Sequence, residues 1–227
     1  MTMSRLDRPI WHALSGRQAA FAVGQGTALR FRPDVSPFAA CADDDPGSLA
    51  ALARLMVPGE RLVLVQRAAV ALPPGTERVD GGMCVQMVAR SFRASPPPDG
   101  VVPLGDGDAA EMLALAKLTK PGPFRARTCE LSQFWGVKDA QGRLLAMAGE
   151  RLRLPGMSEV SGVCTHPDAR GRGYARLLSA HVASEIVRRG ETPFLHAWAD
   201  NCAAIGLYQA LGFELHGEVE AVVVTLA

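Results

Sequence analysis

Residues 159–175 restrict the possible folds of this chain more than any other stretch. They read Glu-Val-Ser-Gly-Val-Cys-Thr-His-Pro-Asp-Ala-Arg-Gly-Arg-Gly-Tyr-Ala. A β-prone run with Val160, Val163 and Thr165 breaks at His166-Pro167-Asp168, passes a basic Gly-rich turn and opens into an apolar helical pattern. A strand that feeds a helix through such a turn forms an anion cradle. Gly171 and Gly173 let the backbone turn sharply and approach a ligand, and the free N–H groups of the next helix favour phosphate. Arg170 and Arg172 add positive charge where a phosphate would sit.

Spacing separates the nucleotide motifs that use such turns. A P-loop needs Gly-Lys-Ser/Thr after four residues, and no such Lys follows. A dinucleotide fingerprint needs a small third residue where this chain has Arg176, and Glu191 precedes its strand instead of ending it. The pattern that fits is Arg-x-x-Gly-x-Ala, from Arg170 through Gly173 to Ala175, directly after a strand. It resembles the acyl-CoA-binding motif of the GNAT superfamily of N-acetyltransferases. A second motif lies about thirty residues on, Asn201-Cys-Ala-Ala-Ile-Gly-Leu-Tyr-Gln-Ala-Leu-Gly-Phe213. It is similar to the superfamily's later helix, with its Asn, aliphatic-Tyr pair and closing Leu-Gly-Phe.

Composition sets wider bounds. The 227 residues allow one large domain or two small ones, and 48% hydrophobic with 21% charged residues suits a globular protein. A net charge of +1 offers no general attraction to nucleic acid or to an anionic membrane. The five cysteines have no Cys-x-x-Cys spacing and no His pairs at zinc-ligand distances, so no metal is expected and the thiols read as small buried residues in a reducing compartment. Met1 to Ile10 carries Arg5, Asp7 and Arg8 instead of a signal-peptide core, and no apolar run approaches bilayer length. The expectation is a cytoplasmic protein.

Along the chain, Trp11 to Leu14 reads as an amphipathic start, Ala19 to Val23 and Ala28 to Arg32 as a hairpin, Leu49 to Met56 as a helix and Arg61 to Gln66 as a buried strand. Met83 to Ala89 is apolar enough for strand or helix. Ser95-Pro96-Pro97-Pro98-Asp99-Gly100 reads as a linker, which predicts an N-terminal α/β domain over 1–95, a linker at 96–100 and a second domain over 101–227. That second part reads as strand Val101 to Leu104, helix Asp106 to Thr119, a short helix Thr128 to Leu131 and a hairpin of Phe134 to Lys138 with Leu144 to Leu154. The 159–175 unit follows, with helix Tyr174 to Arg189, strand Pro193 to Ala199, helix Ala203 to Leu211 and a closing strand pair around Phe213 to Glu214 and Ala221 to Leu226. Leu52 to Gly59 and Leu115 to Gly122 share Leu-Ala-basic-Leu-x-x-Pro-Gly, either by coincidence of composition or as the trace of a degenerate partial GNAT repeat.

The resemblance covers Val101 to Ala227 and implies the mixed α/β GNAT acyl-CoA N-acyltransferase fold, with transfer of acetyl from acetyl-CoA to a small-molecule or peptide amine. Backbone N–H groups from Gly171, Arg172, Gly173, Tyr174 and Ala175 would hold the pyrophosphate, with Arg170 or Arg172 adding charge-assisted bonds. The segment Val163, Cys164 and Thr165 would lie in a strand splayed from its neighbour, the backbones of Val163 and Thr165 holding pantetheine and the thioester carbonyl. Tyr208 stands at the superfamily's general-acid position, and Asn201 reads as a pantetheine contact, the N-cap of its helix, or both.

For a base, Glu159 leads over Glu150 because four residues of alternation put it on the face of Val163. His166 reads as a loop residue, and His196 and Cys164 as sheet residues. A CoA-binding sensor without turnover and an enzyme for another acyl-CoA are the alternatives. The composition leaves homodimerisation open, and basic clusters are too sparse for a nucleic-acid module.

Overall fold

The computed structural model describes residues 4–67 and 69–227; the first three residues of the Met1 to Ile10 stretch lie outside it. Two sheets form. The smaller joins β1 (Ala22–Gln25), β2 (Ala28–Phe31) and β3 (Ala39–Cys41) antiparallel, with β2 central and wholly buried. Helix α1 (Pro9–Leu14) packs on it, as does α2 (Pro46–Ala53), which starts with a proline suited to a first turn.

The larger sheet has eight strands. They are β4 (Leu62–Gln66), β5 (Thr76–Val88), β6 (Val102–Leu104), β7 (Phe134–Lys138), β8 (Leu144–Leu154), β9 (Met157–Thr165), β10 (Thr192–Trp198) and β11 (Glu214–Leu226), in the order β4-β11-β5-β10-β9-β8-β7-β6. This order corrects two expectations. The closing strand pair is one continuous strand, β11, and its antiparallel partner comes from the first hundred residues: β5 lies between β10 and β11, pairing Val88 with Phe194 on one side and with Glu214 on the other. The undecided Met83 to Ala89 run is thus the end of β5 and the residue after it; Met83 is exposed, and Cys84 to Val88 are buried because they lie inside a sheet. The proline-rich division at 96–100 follows the covalent chain and not the hydrogen bonding. Residues before it form a small sheet of their own and also complete the large one.

Three further helices cover the large sheet: α3 (Ala109–Thr119), α4 (Tyr174–Arg188) and α5 (Cys202–Ala210). Val85, Met87, Ala146, Ala148, Val160 and Leu195 face Leu178, Val182 and Ile186 of α4, and α3 seats Met112, Leu115 and Ala116 against Phe134, Met147 and Cys164 on the opposite face. The two echoed Pro-Gly segments follow α2, which packs between the small sheet and β4 and β11 of the large one, and α3, which packs on β8 and β9. Alternation along β9 breaks between Ser161, opposite Gly149, and Cys164, opposite Met147: three steps on β9 match two on β8. Gly162, at φ +65°, supplies this bulge. Val163 consequently packs with Val160 against the α4 layer, and the expectation that Glu159 and Val163 share a face is corrected.

The Phe134 ring covers the bulge. A β-carbon at Gly149 would lie 2.6 Å from its Cγ, and one at Gly162 would lie 2.9 Å from its Cε1. Gly149→Ala is therefore expected to cost about 1–3 kcal/mol through overpacking, read as a lower urea midpoint at unchanged slope.

Candidate active site

The ladder between β9 and β10 is short. It runs from Thr192 opposite Met157 to Phe194 opposite Glu159 and stops, although β9 continues to Thr165 and β10 to Trp198. Beyond Glu159 the two parallel strands diverge, with β10 held by β5 and β9 by β8. The divergence opens the sheet at its centre, and two concavities meet there.

The first is a groove of about 750 Å³ along the end of β9 and the start of α4. Val163, Cys164 and Thr165 line it, as do Arg170, Gly171, Gly173, Tyr174, Ala175 and Asn201, all singled out from the sequence. Gly171 and Gly173 have φ of +76° and +79°, and a β-carbon at either would meet nothing within 4 Å, so the turn is open to a ligand. Gly173 enters α4 with no side-chain cap, which leaves the first-turn N–H groups free to bind an anion. The observed turn fits a pyrophosphate on these grounds. Of the two expected arginines only Arg170 lines the groove. Arg172 donates to the Asp168 carbonyl at 3.3 Å, and Arg176 stands in the groove wall instead. His166 accepts from the Asp168 N–H at 3.3 Å, as a loop residue capping the short turn Pro167–Ala169.

The second is a cavity of about 450 Å³ on the far side of the divergence. It shares Thr119, Pro121, Val163 and Asn201 with the groove, so these four residues mark the junction. Tyr208 lines the cavity and not the groove. It lies two turns after Asn201, whose side-chain oxygen accepts from the Ala204 N–H at 3.1 Å and caps α5. Burial raises the Tyr208 pKa above the ordinary phenol value of 10, and the Glu159 charge adds to this. The opposite wall comes from the first hundred residues: Phe38, Val63, Val65, Asp80 and Cys84 all line the cavity.

Glu159 is fully buried at the floor of this region and is absent from the lining of both concavities. Arg151 donates to both its oxygens, from Nε at 3.0 Å and Nη2 at 2.5 Å, and His196 Nδ1 lies 2.7 Å from Oε1. Burial alone would raise its pKa, but Arg151 and then His196 outweigh this and hold it at about 2. His196 is fixed on its other side too, since Gln86 Nε2 lies 3.0 Å from its Nε2 and also donates to the Leu6 carbonyl at 2.8 Å. With the Gln86 amide donating to Nε2, the His196 Nδ1–H is directed at Glu159. Glu150, the other carboxylate considered, is taken by Arg189 at 2.6 Å and lines neither concavity. Neither Arg151 nor Gln86 belongs to a motif of the sequence, and His196 reads there as a sheet residue. Their signal is a lone carboxylate in an apolar central strand, which requires partners from the strands on either side.

Among the described residues no group of three or more His, Cys, Asp or Glu side chains stands close enough to hold a metal, and no helix is long and apolar enough to cross a membrane. The family model described as FR47-like protein matches residues 136–222. Mycothiol acetyltransferase of Tsukamurella paurometabola is 36% identical over 86 residues, covering 36% of this chain and 29% of that protein. The chain thus spans about a third of the length of the curated relatives it matches. A GCN5-related N-acetyltransferase from Kribbella flavida shares the fold at TM-score 0.65, with 18% identity over 98% of this chain and 96% of the other. The crystal structure of a putative acetyltransferase of the GNAT family from Novosphingobium aromaticivorans superposes at TM-score 0.94, with 42% identity over 99% of this chain and 100% of the other. On that end-to-end likeness, the chain belongs to the GNAT family.

Proposed function

We propose that the protein transfers the acetyl group of acetyl-CoA to an amine. The observation that carries this reading is the meeting of an anion-binding groove and a separate cavity at one point, Val163 and Asn201, with Tyr208 on the cavity wall beside it. The open turn at Gly171 and Gly173 and the free first turn of α4 hold the pyrophosphate, with Arg170 adding charge. Acetyl-CoA supplies the activated thioester. Bulged at Gly162 and unpaired towards β10, the β9 backbone at Val163 and Thr165 donates to the thioester carbonyl and stabilises the negative charge that builds on it. Tyr208 gives its proton to the departing sulfur.

Glu159 takes a different part from the general base expected of it. Both its oxygens are occupied and its pKa is depressed, so it fixes Arg151 and His196 in the cavity wall. The proton leaving the amine passes to water at the cavity mouth, where Asp80 is the one carboxylate in the lining. The apolar wall of Val63, Val65, Val163 and Val223 disfavours the ammonium form and so helps the amine, whose ordinary pKa is ~10, to lose that proton.

The test is an amine screen with acetyl-CoA and a free-thiol readout. Acetyl-dependent thiol release that requires an amine is expected, and Gly173→Val is expected to raise the KM for acetyl-CoA at least roughly tenfold, because a β-branched residue resists the positive φ that the turn requires. CoA binding without turnover of any amine would point instead to a sensor. Faster turnover with propionyl- or succinyl-CoA would move the reading to another acyl donor.

A further inference from the structure

The acceptor cavity has a charge pattern of its own. Its lining holds two basic side chains, Arg151 and Lys120, against one acid, Asp80, in a wall otherwise dominated by apolar groups such as Phe38, Val63, Leu152 and Val223. Arg151 spends Nε and Nη2 on Glu159 and lays its guanidinium 4.9 Å from the Phe38 ring centroid. Its Nη1 has no hydrogen-bond partner among the described residues and lies against the 120–122 loop, 3.5 Å from where a β-carbon of Gly122 would be. A guanidinium held by two bonds to Glu159, with Nη1 left without a protein partner in the lining of a cavity, is poised for an acceptor oxygen.

Lys120 gives an independent sign. It follows α3 at φ +50°, and no other non-glycine residue among the described ones has positive φ. This position after a helix normally takes glycine, and a side chain there carries a conformational cost. Among the described residues the Lys120 ammonium has no ion-pair partner that would offset the cost, yet it lines the same cavity as Arg151.

Resting on the acetyl-transfer reading, we infer that the acceptor amine carries a carboxylate, held between Arg151 Nη1 and Lys120 Nζ, on an apolar body that fills the rest of the cavity. An apolar α-amino acid is the simplest such acceptor. The carboxylate end is fixed at the α3 loop, and the apolar side chain packs on the wall built from β4 and β11.

Product analogues test this without turnover. N-acetyl-leucine, N-acetyl-methionine and N-acetyl-phenylalanine are compared with their carboxamides by titration calorimetry on the full chain. At least one free acid is expected to bind roughly tenfold tighter than its amide, the range of a charge-assisted hydrogen bond. Lys120→Gly keeps the backbone conformation and is expected to remove most of that preference. Arg151→Lys is a second variant that keeps a positive charge beside Glu159. Equal binding of acid and amide in all three pairs, no binding of either at millimolar concentration, or an unchanged preference in Lys120→Gly would overturn the inference. In a parallel turnover assay, acetylation of amines regardless of a carboxylate would leave the transferase reading standing without this one. Selective acid binding with no acetylation of any amine would do the reverse.

Discussion

Glu159→Ala is expected to destabilise the protein by about 3–5 kcal/mol, because it leaves the Arg151 guanidinium mostly buried with no counter-charge. Chemical denaturation at pH 7 reads the loss directly. Converting Arg151 to Met and Glu159 to Leu together is expected to recover most of it, since a buried pair replaced by apolar groups of similar volume is often neutral. A single variant as stable as the parent would show that the pair contributes nothing. Acid titration gives a second reading of the same pair. The folded-state pKa of Glu159 is depressed from 4.5 to about 2, so its stabilisation is complete above about 4.5 and is lost as pH falls towards 2. Glu191 acts in the same window: burial would raise its pKa, but its bonds from Arg17 and Ser158 hold it at about 2. Stability should therefore fall steeply below pH 4.5, and more gently in the Glu159 variant.

Tyr208→Phe should lower kcat by about 10²–10⁴-fold, the range for loss of a positioned general acid, with little change in the KM for acetyl-CoA. The separation of these effects follows from position, since Tyr208 lines the cavity of about 450 Å³ but not the groove. Its raised pKa keeps the phenol protonated throughout the neutral range, so the parent's kcat should show no loss of the acid until pH passes the ordinary phenol value of 10. A kcat within threefold of the parent would remove Tyr208 from the mechanism. A matching rise in the KM for acetyl-CoA would make it a binding residue.

What could be read before folding was what the chain encodes locally. The turn from His166 to Gly173, the helix after it and the cap at Asn201 depend on residues a few positions apart, and they stand where spacing put them. The hairpin of β7 and β8 was legible for the same reason, through Asp139 to Gly142. The bulge was not, because a single glycine at 162 reverses the side-chain alternation only once β8 fixes the register. Nor was the partnership of Arg151, Glu159 and His196, which come from three adjacent strands and meet only across the sheet. The cavity wall from β4 and β5 was hidden most completely, since no periodicity in residues 62–88 announces pairing with strands near the far end of the chain.

The place of β5 has a consequence for how the chain is made. Its thirteen residues leave the ribosome long before either neighbour exists, since β10 begins at Thr192 and β11 at Glu214. Until then a strand ending in Cys-Val-Gln-Met-Val has both edges unpaired, a template for association with other nascent chains. The sheet closes only when the last strand inserts beside it, a non-local step that loop closure makes slow. Chains truncated before residue 214 would keep an open edge at β5, and chaperone demand during synthesis should fall abruptly once β11 emerges.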